Sequence, residues 1–136
     1  MTSAGWEMQK ALYQRLASDT QLIALLGGAK IYDDVPRGVA LPYVTIGEST
    51  IRNWDTGSEN GHEHLVTVTA WTRANGAREA HAILAVIEGL LHNASLTLSG
   101  HHLINCRHEL SEVRREGDGE TTRGIVRLRA VTEPDA

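Results

Sequence analysis

The strongest constraint on the fold is an abrupt change of hydrophobic period between two adjacent segments of the chain. In "HEHLVTVTAWTR", the residues His62, His64, Val66, Val68 and Ala70 alternate with those between them, as in a strand that is buried on one face. In "ANGAREAHAILAVIEGLLHNA", which follows directly, the apolar residues recur at helical spacing over about four turns. A strand followed by such a helix predicts an α+β layer in which the helix covers the sheet.

The segment "WEMQKALYQRLASDTQLIALLGG" predicts two further helices near the N terminus. Its first apolar stripe consists of Met8, Ala11, Leu12 and Leu16. Glu7 belongs to the polar side, and we expect Trp6 to pack this helix onto the sheet. Asp19 is a candidate N-cap for the second helix, Gly27 is its predicted stop, and Asn75 is a candidate N-cap for the later helix.

The remaining segments predict strands. "YVTIGES" alternates as a strand, and the polar run from about Ser49 to Gly61 is predicted to be a long loop. A short strand is predicted over residues 96–98. In the next strand Leu103, Asn105 and Arg107 are predicted to alternate with Ile104, Cys106 and His108. The turn "EGDGET" joins this strand to the last one, and we expect the hairpin to project beyond the sheet. In the last strand the alternating positions are predicted to be Val126, Leu128 and Ala130 on one face and Ile125, Arg127, Arg129 and Val131 on the other. The predicted fold class is α+β, a mostly antiparallel β-sheet with helices packed on one face and a long closing β-hairpin.

Length and composition limit the number of domains and the classes of protein that are possible. A length of 136 residues predicts one α+β domain over residues 1–136. The formal net charge of −4 gives no overall basic field that would attract nucleic acid or anionic lipid. Cys106 is the only cysteine, so an internal disulfide is excluded and a small core residue is predicted. No apolar run approaches the roughly 20 residues of a membrane helix, and the start lacks a signal-peptide pattern, so no membrane partner is expected.

The pair His62 and His64 is the pattern that most suggests a metal site. Both rings lie on one side of an extended chain, as in some zinc, iron and manganese sites. Such a site usually adds a carboxylate shortly after the second histidine, where this chain has Val68 and Thr69. The sequence therefore favours polar residues at the start of a strand. A small metal-binding enzyme that uses His62 and His64 stays open as an alternative of a different class.

Arginines are concentrated in "EVRRE" and "RGIVRLR", on two strands that are predicted to be neighbours. They could form a basic surface for phosphates, but interleaved glutamates favour cross-strand ion pairs. These glutamates are Glu109, Glu112, Glu116 and Glu120. Trp71 is predicted to be a core residue, whereas Trp54 fits a buried anchor of the loop and an exposed contact residue equally well.

The order of these segments resembles the tail-terminator, or tail-completion, family of long-tailed phages and gene transfer agents. The resemblance lies in "IYDDVPRGVALPYVTIG", with Tyr32, Pro36, Pro42 and Tyr43, in the strand "VTVTAWT", and in the helix that opens at "NGAREA". It covers nearly the whole chain.

This resemblance implies a structural protein of the virion and not an enzyme, with no catalytic residues, cofactor or metal. It implies a hexameric ring at the head-proximal end of the tail tube, which ends tube polymerisation and joins the tail to the head connector. The implied partners are other copies of the chain, the major tail tube protein, the connector or stopper protein, and DNA that passes through the channel without sequence-specific binding. Assembly is expected in the bacterial cytoplasm. A connector stopper is the alternative within the same class.

The polar loop and the hairpin supply the candidate contact residues, because a small domain does not need such elements for its stability. We expect contacts with other subunits or with the tube at Arg52, Trp54, Asp55, Glu59, Glu116, Asp118 and Glu120. Arg127 and Arg129 on the last strand are candidate charges of the channel or of a subunit interface. Protonation of His62 and His64 near about pH 6.5 is expected to alter the contacts of the loop.

Overall fold

The computed structural model describes residues 3–57, 60–73 and 77–135, and in these ranges it contains three helices and five strands. The helices are α1 (Ala4–Ala17), α2 (Thr20–Leu26) and α3 (Ala77–Leu91). The strands are β1 (Ile31–Tyr32), β2 (Tyr43–Asn53), β3 (His62–Arg73), β4 (His101–Arg115) and β5 (Thr121–Pro134). They form one sheet in the order β1-β2-β3-β5-β4, in which only β1 and β2 are parallel. The predicted α+β class, with its antiparallel sheet and closing hairpin, is confirmed. The expectation that the hairpin projects beyond the sheet is wrong, because Arg73 of β3 still pairs with Thr121, the first residue of β5.

The core lies between the helices and one face of the sheet, which we call the helical face. The predicted apolar stripe of α1 and the predicted inward face of β3 are both buried there. The main core residues are Met8, Leu12, Leu16, Leu22, Val44, Ile46, Val66, Val68, Ile83, Ile87, Leu91, Val126 and Leu128. A Cβ atom on Gly124 would lie 3.1 Å from the side chain of Leu84, so α3 approaches β5 closely at this glycine. Each large buried side chain contributes roughly 1.5–3 kcal/mol.

Helix ends follow the predicted capping where the structure describes them. The carboxylate of Asp19 accepts a hydrogen bond of 2.9 Å from the backbone N–H of Leu22, as an N-cap does. Gly27 ends α2 in a left-handed conformation with φ of 77°. Asn75, the predicted N-cap of α3, lies outside the described residues. The buried Cys106 is a core residue as predicted, and burial raises the pKa of its thiol to about 11.

The predicted loop from Ser49 to Gly61 begins too early, because β2 continues to Asn53 and the connection to β3 starts only at Trp54. Ser49 pairs with Val66 and Asn53 with His62, after a bulge at Glu48, which has φ of 53°. The bulge resets the alternation of β2, so one continuous pattern does not run through the strand. All residues of β2 beyond Glu48 are exposed, and this is why the sequence lacks a strand pattern there.

The alternation predicted for β4 is also wrong in detail. Register shifts occur between Leu103 and Asn105 and again between His108 and Leu110. The first shift places both Leu103 and Cys106 against the core, although the predicted alternation separates them. The predicted strand over residues 96–98 is absent from the described residues, where only a single bridge joins Leu98 to His101.

Three side chains differ from their predicted environments. Glu7 is buried, where its carboxylate lies 2.9 Å from Nζ of Lys10 and accepts a hydrogen bond of 3.2 Å from the backbone N–H of Ser99. Trp6 does not pack α1 onto the sheet, because 49% of it is exposed. Trp71 is only partly buried and lies outside the core, on the sheet face that the helices leave uncovered. None of the described helices is both long and apolar enough to cross a membrane.

Candidate assembly surface

The face of the sheet opposite the helices, which we call the open face, is built from five rows of residues. Each row takes one residue from β2, β3, β5 and β4 in that order. The rows are Tyr43–Trp71–Arg123–Arg114, Thr45–Thr69–Ile125–Glu112, Gly47–Thr67–Arg127–Leu110, Thr50–Leu65–Arg129–Arg107 and Arg52–Glu63–Val131–Asn105. Arginine and threonine dominate this face, in contrast with the valine, leucine and alanine of the helical face. It is therefore a polar surface available for contact.

A buried carboxylate organises one end of the open face. Glu63 is only 7% exposed, and its carboxylate accepts a hydrogen bond of 2.7 Å from Nε of Arg129. A guanidinium nitrogen of Arg52 lies 3.8 Å from the other carboxylate oxygen. The guanidinium of Arg129 also lies 5.0 Å from the ring centre of Trp54, a cation–π contact. Arg129, predicted as a channel or interface charge, is thus engaged within the subunit.

The connection between β2 and β3 begins at Trp54 and presents an exposed aromatic side chain. Of the two predicted environments for Trp54, the exposed one is correct, since 46% of the residue is accessible. Ile104 of β4 is 48% exposed, and together with Trp54 it lines a depression of about 180 Å³. These two side chains give this end of the surface exposed apolar area, and Leu110 of the open face is a further exposed apolar residue.

Asp55 fixes the conformation of this connection through hydrogen bonds. It accepts hydrogen bonds from the side chain of Asn53 at 3.0 Å and from the backbone N–H of Gly61 at 3.0 Å, and both lower the pKa of its carboxyl. Gly61 is required at its position, because a Cβ atom there would lie 2.8 Å from the backbone oxygen of Trp54. Asp55 therefore holds the loop that carries Trp54. Glu59, also a candidate contact residue, lies outside the described residues.

The turn between β4 and β5 holds the other three acidic candidates, and they have different roles. Asp118 accepts hydrogen bonds from the backbone N–H groups of Glu120 and Thr121, at 2.8 and 3.0 Å, and its pKa is lowered. Glu116 forms an ion pair of 2.8 Å with Arg123. Glu120 is exposed, and no ion pair with it occurs in the described part of the chain. Of the three, Glu120 is the one available to a partner.

His62 and His64, the pair that most suggests a metal site, lie at the start of β3 and differ in burial. His64 is buried, and its Nε2 atom lies 2.8 Å from the hydroxyl oxygen of Thr132. Burial, with smaller contributions from His62 and His101, lowers the pKa of His64 to about 4. No group of three or more potential ligands suited to a metal ion is found among the described residues. Because of this lowered pKa, the expectation that His64 titrates near pH 6.5 is wrong.

Glu63 and Arg107 are important on this surface, but neither is among the contact residues that the sequence predicts. Glu63 lies between the two histidines that dominate the pattern, and nothing local marks it as the partner of Arg129. Arg107 becomes significant only because β4 pairs with β5, which places it directly opposite Arg129. Strand pairing supplies this information, and the linear pattern does not contain it.

An uncovered sheet face, an exposed tryptophan in the β2–β3 connection and an exposed β4–β5 turn are features of a subunit that works through contacts with other chains, so fold and surface together indicate a structural assembly protein. The family model described as "Tail completion protein gp17" matches residues 10–133. The chain belongs to this family of phage and gene transfer agent tail-completion proteins, as its sequence resemblance predicts.

Two solved structures are similar to this chain along most of its length. A chain from the structure titled "Virion of native gene transfer agent (GTA) particle" is similar with a TM-score of 0.90 and 29% identity, over 98% of this chain and 99% of that one. The structure titled "Structure of bacteriophage SPP1 gp17 protein" is similar with a TM-score of 0.61 and 23% identity, over 93% and 89% of the two chains. This second likeness shows a shared fold. No curated protein sequence matches the chain.

Proposed function

We propose that this protein is a tail terminator, acting as one α+β domain. Six copies form a ring at the head-proximal end of a tail tube, end its polymerisation and join the tail to the head connector. The likeness to a chain of a gene transfer agent particle, over 98% of this protein with a TM-score of 0.90, is the observation that carries the proposal. In this proposal the protein assembles in the bacterial cytoplasm and remains in the virion. DNA passes through the ring without sequence-specific binding.

The candidate surface supports a division of contacts between partners. Trp54 and Ile104 offer exposed apolar area next to a small depression, which suits a contact with another subunit or with the tube protein. Arg52 and Glu120 are exposed charges at the β2–β3 end and at the β4–β5 turn. Asp55, Asp118 and Glu116 act indirectly, because their hydrogen bonds and ion pair fix the two turns that present these residues.

Tube growth in vitro tests this proposal. The purified tube protein polymerises alone or with this protein, and tube lengths and ends are measured by negative-stain electron microscopy. We expect shorter tubes that carry a sixfold ring at one end. Trp54→Ala should weaken this capping, whereas Trp6→Ala, which changes an equally exposed tryptophan on α1, should leave it intact.

Tubes of unchanged length without terminal rings would contradict the proposal. If the protein instead bound the assembled connector and did not affect tube growth, the stopper alternative would replace it. The comparison of Trp54→Ala with Trp6→Ala separates a specific contact from a general effect of removing an aromatic side chain.

A further inference from the structure

One side of β2 is largely unpaired. On the other side β2 pairs with β3 from Tyr43 to Asn53, whereas β1 pairs with it only at Val44 and Thr45. From residue 46 to residue 53, no strand and no backbone hydrogen bond from a loop or helix reaches this side in the described part of the chain. We call this side the free edge. The unpaired N–H and C=O groups of such an edge are a template for a further strand.

The free edge continues the line of β1. The N–H of Val44 donates to the carbonyl oxygen of Lys30 at 2.9 Å, so the backbone groups of Val44 face the side of β1. Because these groups alternate in direction along a strand, those of Ile46 face the same side. The chain leaves the sheet at Asp33, however, and Ile46 has no partner on this side in the described ranges. The position of a strand beside Ile46 is therefore vacant.

A depression of about 360 Å³ lies where side chains of such a strand would point. Its lining includes Ile46 and two residues of α1, Trp6 and Tyr13, which are about two turns apart. Both aromatic residues are close to half exposed. Ile46 belongs to the core under the helices, so alternate side chains of an added strand would enter the depression between α1 and the free edge. An apolar side chain suits this place, because it would cover exposed aromatic surface.

The opposite edge of the sheet, on β4, is protected against strand addition. β4 contains two register shifts, and bulges of this kind interrupt the pairing of a further strand. The connection after α3 also covers part of this edge. The N–H of Asn93 donates to the carbonyl oxygen of Cys106 at 2.7 Å, and the N–H of His108 donates to Nδ1 of His92 at 3.0 Å. β4 of a second copy is therefore poorly suited to occupy the free edge of β2.

The charge beside the free edge favours a basic partner. The carboxylates of Asp33, Asp34 and Glu48 are exposed, and they form no ion pair with any described residue. Lys10, the cation that lines the depression, is already paired with Glu7 at 2.9 Å. A segment that carries lysine or arginine next to its apolar residue would compensate the exposed carboxylates.

Two further cations lie in the connection around β1, and they do not neutralise these carboxylates. Nζ of Lys30 donates a hydrogen bond of 2.9 Å to the carbonyl oxygen of Ala40. Arg37 forms no ion pair within the described residues. Three carboxylates and two cations, −3 and +2, leave this edge with a formal charge of −1.

We infer that the free edge of β2 binds an extended segment of another protein as an additional strand. The segment places an apolar side chain in the depression beside Tyr13, and a lysine or arginine near Asp33 and Asp34. In this mode of recognition main-chain hydrogen bonds supply affinity and alternate side chains supply specificity. The inference goes beyond the tail-terminator function and does not depend on it, because the site does not include Trp54 or Ile104.

Titration of the purified protein with synthetic hexapeptides, followed by ¹H–¹⁵N NMR, tests the inference. The probe, Lys-Leu-Thr-Val-Thr-Lys, alternates as a strand does, and we expect it to shift the amide signals of residues 46–53. A matched peptide with glutamate in place of both lysines should bind about three- to tenfold more weakly. A second matched peptide, N-methylated at its four central residues, keeps every side chain but loses backbone donors, so it should bind at least about tenfold more weakly.

Two variants locate the site on the protein. Tyr13→Ala should weaken binding of the probe about three- to tenfold, because it removes one wall of the depression. Ile104→Ala is the matched control, since it removes a similarly exposed apolar side chain at the opposite edge of the sheet and should leave the affinity unchanged. Both residues are exposed, so neither variant should lose its fold.

Three results would overturn the inference. The first is the absence of probe binding at concentrations of about 1 mM. The second is equal binding of the N-methylated peptide, because side chains and not strand pairing would then hold the probe. The third is self-association of the wild-type protein that both the probe and Tyr13→Ala weaken, because the free edge would then be occupied by a second copy and not by another protein.

Discussion

The two faces of the sheet use the same strands for different purposes. On β5, Val126 and Leu128 point toward the helices and are fully buried, whereas Arg127 and Arg129, which alternate with them, point to the open face. The helical face gains its free energy from apolar area removed from water. The open face buries fewer apolar side chains, among them Ile125 and Val131, and it carries most of its arginines on partly or fully exposed positions. Substitutions on the two faces should therefore differ in their effect on stability.

The largest expected difference in the free energy of unfolding is between the variants Ile87→Ala on the helical face and Thr67→Ala on the open face. Ile87 is fully buried in α3, so its truncation should lower the free energy of unfolding by roughly 2–5 kcal/mol through lost burial and a cavity. Thr67→Ala should cost less than about 1 kcal/mol. Urea denaturation followed by circular dichroism measures both values. Similar losses in the two variants would show that the open face is also part of the core.

The second prediction concerns a titratable group on the helical face. Because the pKa of His64 is about 4 in the folded protein and about 6.5 when unfolded, the unfolded chain binds more protons between these values. The free energy of unfolding should therefore decrease by on the order of 3 kcal/mol as the pH falls from about 7 to about 4. In His64→Gln this part of the loss should disappear.

Denaturation at several pH values, with His81→Gln on the exposed side of α3 as the control, tests the role of His64. The control should keep the pH dependence of the wild type. An unchanged pH dependence in His64→Gln would show that other groups cause it.

The third prediction compares two ion pairs on the open face that differ in burial. Glu63→Gln should lower the free energy of unfolding by about 1–2 kcal/mol, because the buried carboxylate is replaced while Arg129 stays in place. Glu112→Gln, at the more exposed pair with Arg114, should cost less than about 0.5 kcal/mol. A double-mutant cycle of Glu63→Gln with Arg129→Gln measures the coupling. If the two substitutions show no coupling, Glu63 does not organise this end of the open face.

The last prediction is a small change in stability for Trp54→Ala. Its ring is exposed, and its contact with Arg129 contributes about 0.5–1 kcal/mol, so thermal unfolding should shift only slightly. The same variant should have a clear defect in tube capping. A large loss of stability would instead make Trp54 a structural residue of the loop, and the capping defect would then not identify a contact.

The sequence predicted those parts of the fold that depend on neighbours along the chain. The two faces of β3 and β5, the stripe of α1, the cap at Asp19 and the stop at Gly27 follow from short-range periodicity and backbone chemistry. The errors occur where a partner element decides the outcome. The bulge at Glu48 and the burial of Glu7 depend on β3 and on the backbone at Ser99, far away in the sequence.

On the candidate surface, too, the sequence could not predict features that depend on distant parts of the chain. The sequence placed Trp54 and the acidic residues in two polar connections, but it could not distinguish those that fix a turn, such as Asp55 and Asp118, from those that are available to a partner. The difference lies in hydrogen bonds to backbone N–H groups, whose positions are set only when the strands pair.

The sequence by itself determined the alternation of β5, and with it the fact that Arg127 and Arg129 point away from the core. Only the tertiary structure decided that these two arginines differ. Arg129 meets Glu63, which is 66 residues away along the chain, whereas Arg127 meets no acidic partner in the described structure. The physical reason is that side-chain direction is a local property of an extended backbone, while the partner of a charge is set by the register between strands that are distant in sequence.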